Sequence, residues 1–300
     1  MSAEEPENVE PDLLNQLCND LNNNLTVSAI RRSHRGPSRS TPQKVEKPEV
    51  KPENDYLYFD TSPGCTVAIS ESYLAMNKLT QLLLTDLTSE NLEEVLSELS
   101  SYNLSEDDRK AEGAIAALIE AGASSEELSQ LVVTICKKII GKEAADNPLE
   151  ISPFLTKLNN FISNDYRIIL NRFLKAKETE GIHEIEKWRQ LNCGNVILIG
   201  RLYAEKLVSE ALVKRCLVDL FKASEKSNNK SYVKEEEDVI KNGMELLILV
   251  GSRLNEKYVK DIIKRLQNCS KFFSPIPKAK FVELLMLKKN NWNPIVPPHQ

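Results

Sequence analysis

Residues 111–139 read AEGAIAALIEAGASSEELSQLVVTICKKI and contain two helical patterns in direct succession. In each pattern the apolar side chains recur every three or four positions, which is the spacing of a helix that buries one face. Gly122 and Gly141 are predicted to end the first and the second helix, and Ser124 with Glu127 forms a capping-box pattern between them. The stretch therefore predicts two helices joined by a short turn, and such short connections make neighbouring helices antiparallel.

The same spacing continues from about residue 70 to the C-terminal region and predicts about ten helices. Ser105 is a predicted N-cap, Ser152-Pro153 opens a long helix, and we predict a break in that helix near Asn164. Further helices are predicted at residues 72–84, 184–206, 209–222, 236–253, 256–269 and 277–289. No segment shows the sustained alternation of a strand. We expect an all-α fold, a HEAT-type α-solenoid of about five antiparallel helical hairpins, with a compact irregular bundle as the alternative.

Proline and polar residues divide the chain. Seven of the 14 prolines lie at or before Pro63, and long proline-free stretches follow. The N-terminal sequence buries too little apolar area to offset the entropy of ordering. We therefore predict a disordered arm at 1–65, a helical-repeat domain at 66–294 and a flexible tail at 295–300. The Arg- and Ser-rich tract at 31–40 is interpreted either as a solvated basic patch or as a segment for RNA contact or phosphorylation.

The composition is that of a globular helical protein. Apolar residues make up 41% of the 300-residue chain, charged residues 28% and aromatic residues 6%, so the predicted core is aliphatic. No run of about 18 apolar residues is present, which predicts that no segment spans a membrane. The acidic N-terminal region lacks an apolar signal core and the six cysteines are scattered singly. We expect a reduced, cytoplasmic protein without a metal.

The sequence does not contain the patterns of known catalytic sites. The three histidines, His34, His183 and His299, fall in segments predicted to be flexible or polar, and no Walker loop, nucleophile elbow or His-Glu-x-x-His motif occurs. The glycine-containing stretch at 193–200 lies within an apolar helical pattern, so its glycines are predicted to serve helix packing. We therefore predict that the chain is not an enzyme and uses no cofactor, metal or small-molecule substrate.

The net charge of −5 hides two opposite regions. Residues 86–150 include 15 acidic and 5 basic residues, whereas residues 256–300 include 9 basic and 3 acidic residues. A solenoid keeps sequence order in space, so we expect an acidic end that suits a basic protein partner and a basic end that makes weak RNA contact. Charge that only maintains solubility is the alternative. The RNA-contact candidates are Lys257, Lys260, Lys264, Arg265, Lys271, Lys278, Lys280, Lys288 and Lys289.

Several segments together form a recognisable set. Residues 193–203 read CGNVILIGRLY, and KLVSE follows at 206–210. Residues 165–173 read DYRIILNRF, residues 284–294 read LLMLKKNNWNP, and residues 87–92 read LTSENL. The first pair resembles the Gly-Asn helix and the following turn of one domain type. The other three resemble, in the order given, the Leu-Leu-Asn-Arg helix, the Asn-Asn-Trp ending and the opening segment of the same domain type. That domain is the middle domain of eukaryotic initiation factor 4G, which poly(A)-binding-protein-interacting proteins and other translation regulators share.

The resemblance implies a HEAT-type fold in a stand-alone, translation-regulating adaptor. Its expected partners are translation initiation proteins, first an initiation factor 4A-type helicase, and then mRNA. The alternative is a middle-domain relative that acts in mRNA decay, histone mRNA translation or nuclear mRNA export. The resemblance also implies partner contacts at the opening segment and at the Asn-Asn-Trp ending, although Trp292 has a second interpretation as a cap on the last repeat. The contact candidates are Leu87, Thr88, Asn91, Asn290, Asn291 and Trp292.

The chain departs from the family pattern at several points. Leu198 stands where the family has Phe, and Arg201 stands where it has Glu. The charged insertion before the Gly-Asn helix is reduced to about 176–187, and neither a cap-binding-protein motif nor a poly(A)-binding-protein peptide motif is apparent. These departures argue against a full scaffold, and they favour a protein that either stimulates helicase recruitment or competes with it.

Overall fold

The regular secondary structure of the described residues is helical. The computed structural model describes residues 70–104, 107–179, 181–222 and 236–293. All of them belong to one unit of the chain, which begins at Ser62. These ranges contain helices and no strand, so the all-α prediction is confirmed. The predicted arm at 1–65 and the predicted tail at 295–300 lie outside the described residues.

Ten α-helices and one short 3₁₀ turn make up the regular structure of the described residues. In chain order they are α1 (Glu71–Thr85), α2 (Leu92–Ser101), α3 (Asp108–Ser124), α4 (Glu126–Asp146), α5 (Pro153–Thr179), α6 (Ile182–Ala204), α7 (Glu210–Leu220), α8 (Glu237–Val250), the 3₁₀ turn (Gly251–Arg253), α9 (Glu256–Ser270) and α10 (Pro275–Lys289). The six helices predicted with both bounds are all present, and each begins within two residues of its predicted start.

Two glycines that were predicted to end helices lie inside them. Gly122 is buried in α3 and Gly141 lies within α4, and each helix continues beyond its glycine. A glycine ends a helix where the backbone takes a positive φ, and neither residue does so. The N-cap of α4 is Ser125, one residue later than the predicted capping box, and its Oγ accepts a hydrogen bond from Leu128 N at 3.1 Å.

Helix α5 is continuous, so the predicted break near Asn164 is wrong. Its predicted start is confirmed, because the hydroxyl of Ser152 caps the first turn. The predicted cap of α3, Ser105, lies outside the described residues, and Asp107 caps that helix instead. An unbroken α5 of 27 residues gives the neighbouring helices one long surface for packing.

Neighbouring odd-numbered helices run in the same direction. Ser209 N donates to Asn159 Oδ1 at 3.2 Å, and Tyr166 donates from its hydroxyl to the Cys216 carbonyl at 3.2 Å. Both pairs join residues 50 positions apart, and this constant offset shows that α5 and α7 are parallel. Two hydrogen bonds, which join residues 36 and 39 positions apart, show in the same way that α1 and α3 run parallel. The even-numbered helices α6 and α8 also run in the same direction. An ion pair joins α6 to the start of α8, and the end of α6 packs closely against the end of α8.

Each helical hairpin packs chiefly against the next one along the chain. α1 packs on α3, α3 on α5 and α6, α6 on α8, and α8 on α10. Tyr258 joins α9 to α7, because its hydroxyl donates to the Lys214 carbonyl at 3.3 Å. The odd-numbered helices therefore form one layer and the even-numbered helices a second, and successive hairpins bury each other's apolar faces.

Two glycines let the backbones of different helices approach each other. A β-carbon at Gly194 of α6 would overlap the carbonyl oxygen of Ala123 in the last turn of α3. A β-carbon at Gly113 of α3 would likewise overlap the carbonyl oxygen of Tyr73 in α1. Asn195, beside Gly194, is fully buried. The prediction that the glycines of the 193–200 stretch serve helix packing is thereby confirmed.

We predict that Gly194→Ala lowers the free energy of unfolding by about 3 kcal/mol, because the added methyl group meets a backbone carbonyl that has no room to move away. Gly141→Ala is the matched control. No atom lies within 4 Å of its β-carbon position, and alanine favours a helix interior over glycine by about 0.5–1 kcal/mol. Urea unfolding followed by far-UV circular dichroism measures both variants. Equal stability of the two would contradict the close approach of α6 to α3.

Candidate partner-binding surfaces

The first predicted contact group lies in the connector between α1 and α2. Leu87 is 6% exposed and contributes to the core, so it supports the connector from inside. Thr88 N donates to Asn91 Oδ1 at 2.8 Å, and Asn91 Nδ2 donates to the Asp86 carbonyl at 2.9 Å. Asn91 therefore fixes the conformation of the connector, and Thr88 is the member of this group that is exposed to solvent.

The second group lies in the turn that follows α10. Asn290 and Asn293 exchange hydrogen bonds, since each side-chain amide donates to the carbonyl of the other at 2.9 and 3.1 Å. Asn291 and Trp292 have φ values of 50° and 64°, which is a left-handed conformation for two consecutive residues. Trp292 N donates to the Leu287 carbonyl at 2.7 Å and closes the turn onto α10. The hydrogen bonds hold the turn in this conformation.

Trp292 covers the end of α8. A β-carbon at Gly251, the first residue after α8, would overlap the indole ring of Trp292 at Cη2. The indole therefore occupies the space that a larger residue would fill, and the tryptophan is partly buried, whereas Asn291 is exposed. This geometry supports the interpretation of Trp292 as a cap on the last hairpin. It also leaves Asn291 at the surface beside the ring.

The two predicted contact groups belong to different ends of the helical unit. The first lies between α1 and α2, whose main packing partners are α3 and α4. The second follows α10, whose main packing partners are α8 and α9. A partner that touches both groups has to extend past the intervening hairpins.

Four of the RNA-contact candidates lie on one face formed by α9 and the residue that follows it, Lys271. Lys257, Lys260, Lys264 and Lys271 recur at helical spacing and are exposed, and the buried residues of α9 lie on the opposite side. Lys260 Nζ lies 3.3 Å from the carboxylate of Glu256. The positive face is interrupted by the exposed acid Asp261, and Lys260 is partly neutralised within the helix.

The remaining basic candidates differ in their surroundings. Lys280 joins α8 to α10, because its Nζ lies 3.0 Å from Glu245 Oε1 and 2.7 Å from Glu283 Oε2. Burial alone would lower the pKa of Lys280, but the hydrogen bonds to Glu283 and Glu245 raise it. Lys280 therefore serves an interhelical ion pair. The other basic candidates are exposed or partly exposed: Arg265, Lys278, Lys288 and Lys289.

Sequence reasoning missed a buried carboxyl group in the middle of α5. Asp165 is 5% exposed, and burial together with the charge of Glu120 raises the pKa of Asp165 to about 7. Burial also raises the pKa of Glu120, although its carboxylate accepts a hydrogen bond from Gln81 at 2.9 Å. Tyr73 of α1 faces the same acids, and burial with their charges raises its pKa to about 12. The signal in the sequence was an aspartate within the apolar helical pattern FISNDYRIIL.

The thiols in the described residues are free. Burial raises the pKa of Cys136 and of Cys216 to about 12, so both remain protonated at neutral pH. Their predicted places on apolar helix faces are confirmed. Within the ranges that the structure describes, no three His, Cys, Asp or Glu side chains are grouped so as to hold a metal ion. No helix in those ranges has the length and apolar character needed to cross a membrane.

We predict that Asp165 makes the protein less stable as the pH rises from about 4 to about 7. The folded-state pKa of about 7 lies above the value of about 3.9 in an unfolded chain, so the folded state holds the proton more tightly across this window. Asp165→Asn removes this titration. Its stability relative to the wild type should therefore increase by up to about 4 kcal/mol over the window and level off above it.

Urea unfolding at about pH 4.5, 6 and 8 tests this expectation. Asp146→Asn is the control, because Asp146 is exposed at the end of α4. Parallel pH profiles for the wild type and Asp165→Asn would show that the pKa of Asp165 is the same in the folded and unfolded states, which would contradict the prediction.

We predict that Gly251→Ala destabilises the wild type by about 1–3 kcal/mol, because the new methyl group displaces the Trp292 indole. In a Trp292→Ala background the same change has no ring to displace and should cost much less. A double-mutant cycle from urea unfolding gives the coupling energy between the two positions. A coupling energy below about 0.5 kcal/mol would be evidence against the contact.

The comparisons with protein families and with curated proteins identified no relative of this chain. A scan against protein-family models found no match, and a search of curated proteins found no matching protein either. The functional proposal for this chain therefore depends on its own residues and on their geometry.

Proposed function

We propose that this chain is a non-enzymatic adaptor of the translation machinery that binds an initiation factor 4A-type helicase. The proposal includes a HEAT-type α-solenoid fold for the helical unit and a cytoplasmic site of action. One observation carries it: the segments that resemble the initiation factor 4G middle domain occur in the chain order of that family, and three of them lie on helices or on the turn after the last described helix. Residues 165–173 lie in α5, residues 193–203 lie in α6, and residues 284–292 run from α10 into the turn after it.

The packing of the hairpins supports a HEAT-type arrangement. In such a solenoid, each hairpin contacts the next one and equivalent helices repeat in the same direction. The 50-residue separation between paired positions of α5 and α7 fits this repeat. The same arrangement leaves connectors exposed along both edges of the two layers, where a protein partner has access to them.

Thr88 and Asn291, which are both exposed, are the proposed helicase contacts, whereas the amide of the exposed Asn290 bonds within the turn. Thr88 is held in position by Asn91, and Asn291 is held in position by the turn after α10. Each polar side chain is therefore presented on an ordered backbone, which reduces the entropy lost on binding. Leu87 and Trp292 support these contacts by packing beneath or beside them.

The positive face of α9 supports an accessory contact with RNA. Its lysines are exposed at regular spacing, which suits phosphate groups of a nucleic acid. Asp261 interrupts the same face, so the expected contact is weak and depends on salt. We assign RNA a secondary role beside the protein partner.

Binding of the full chain to purified initiation factor 4A, measured by isothermal titration calorimetry, tests the proposal. Asn291→Asp tolerates the left-handed backbone and adds a charge at the contact, and Thr88→Lys changes the other contact. Each should weaken binding roughly tenfold or more, as expected for a residue within an interface. Asn268→Asp is the matched control, because Asn268 is an exposed asparagine on α9.

The outcomes separate the parts of the proposal. Equal binding by all variants would show that the contacts lie elsewhere. A wild-type protein with a full helical circular dichroism signal and no affinity for the helicase would overturn the partner assignment. The alternative, action in mRNA decay, histone mRNA translation or nuclear mRNA export, would then take its place.

A further inference from the structure

The connector between α4 and α5, residues 147–152, exposes two large apolar side chains. Leu149 is 100% exposed and Ile151 is 77% exposed. They stand two positions apart on the same short connector, whereas Ser152 and Phe154 directly after them are buried. Neighbouring apolar side chains that are exposed together mark an interaction surface more often than single exposed residues do.

Hydrogen bonds hold this connector in one conformation. Asn147 N donates to the Glu143 carbonyl at 2.9 Å, and Glu150 N donates to the Asn147 carbonyl at 3.1 Å. The carboxylate of Glu143 accepts from the Ser152 hydroxyl and from Phe154 N, the latter at 3.1 Å. The two apolar side chains therefore project from an ordered backbone, and a partner that covers them loses little entropy in ordering it.

Negative charge surrounds the apolar pair. Residues 143–152 contain three acidic residues and no basic residue. Asp146 and Glu150 are exposed on either side of the connector's first turn. A shallow groove adjoins the connector and is lined by Leu99, Asn103, Leu104, Ile139, Lys142 and Asp146. Lys142 is the one basic residue among those named, so the margin has a net negative charge, and an apolar centre with such a margin complements a segment that is both apolar and cationic.

We propose that the connector at 147–152 and the adjoining groove form a docking site for a basic amphipathic helix of a partner protein. The apolar face of that helix covers Leu149 and Ile151 and extends toward the groove. Its lysine or arginine side chains pair with Asp146 and Glu150. A helix suits the site because it carries apolar and cationic residues on adjacent faces at a spacing of three or four positions.

This site is separate from the proposed helicase contact at Thr88. The connector at 147–152 leaves an even-numbered helix, whereas Thr88 lies in a connector that leaves an odd-numbered one. Because the odd-numbered helices run in the same direction, the two kinds of connector lie at opposite edges of the layers. A partner at the acidic connector can therefore bind while the surface around Thr88 is occupied.

The test uses the full chain and a synthetic 18-residue amphipathic peptide of leucine and lysine, labelled for fluorescence anisotropy. A peptide with glutamate in place of lysine is its control. The protein variants are L149S with I151S, which removes the apolar centre, and D146N with E150Q, which removes the acidic margin. Ile182→Ser is the matched control variant, because Ile182 is 88% exposed at the start of α6.

We expect the leucine–lysine peptide to bind the wild type and the Ile182→Ser variant equally. The L149S/I151S protein should bind it roughly tenfold more weakly or worse, as the loss of two apolar contacts implies. The D146N/E150Q protein should lose most of the salt dependence of binding. Unchanged affinity in L149S/I151S, or equal binding of the glutamate peptide, would overturn the proposal. Self-association of the wild type that L149S/I151S abolishes would also overturn it, because the occupant would then be a second copy of this chain.

Discussion

The packing of this protein depends on the approach of α6 to the end of α3, where Gly194 leaves no room for a β-carbon. Helix α6 packs against α3, α4 and α5 on one side and against α7 and α8 on the other. Its far end is anchored electrostatically, since Arg201 lies 2.6 Å from the carboxylate of Glu126 at the start of α4. The early and late hairpins therefore meet mainly through α6, with the α5–α7 hydrogen bonds beside it, and the short distance between two backbones sets the position of α6 on α3.

Helical periodicity was sufficient to predict the all-α character and most helix starts, because a buried apolar stripe is a local property of the sequence. The errors arose where tertiary packing overrides a local signal. Gly122 is an apparent stop signal, yet the side chain of Leu198 from α6 packs against it and the helix continues. The interruption expected near Asn164 is absent for a related reason, since Tyr166, Ile169 and their neighbours are buried along an unbroken α5.

The candidate surfaces were less predictable, because exposure depends on what other helices cover. Leu87 belongs to a segment chosen for its resemblance to a contact region, but its side chain lies in the core. Lys280 looks like any other lysine of the basic C-terminal region, and only the neighbouring Glu245 on α8 reveals its ion pair. The resemblance of the segment that begins at Asp165 gives no sign that the carboxyl group of this aspartate is buried, and no motif marks the exposed connector after α4. Their character comes from burial in the first case and from its absence in the second.

Residues that contact each other across neighbouring hairpins are about one hairpin apart in the sequence, and this spacing has a consequence for synthesis of the chain. Asn159 meets Ser209 and Tyr166 meets Cys216, in each case 50 residues further on. A ribosome adds that length in about 3–10 s, whereas a hairpin of helices forms within about a millisecond. Each hairpin can therefore be complete before the next one emerges and can serve as the template on which it folds. Order of emergence and order of stacking are then the same, and long-range mispairing between distant helices has little time to occur.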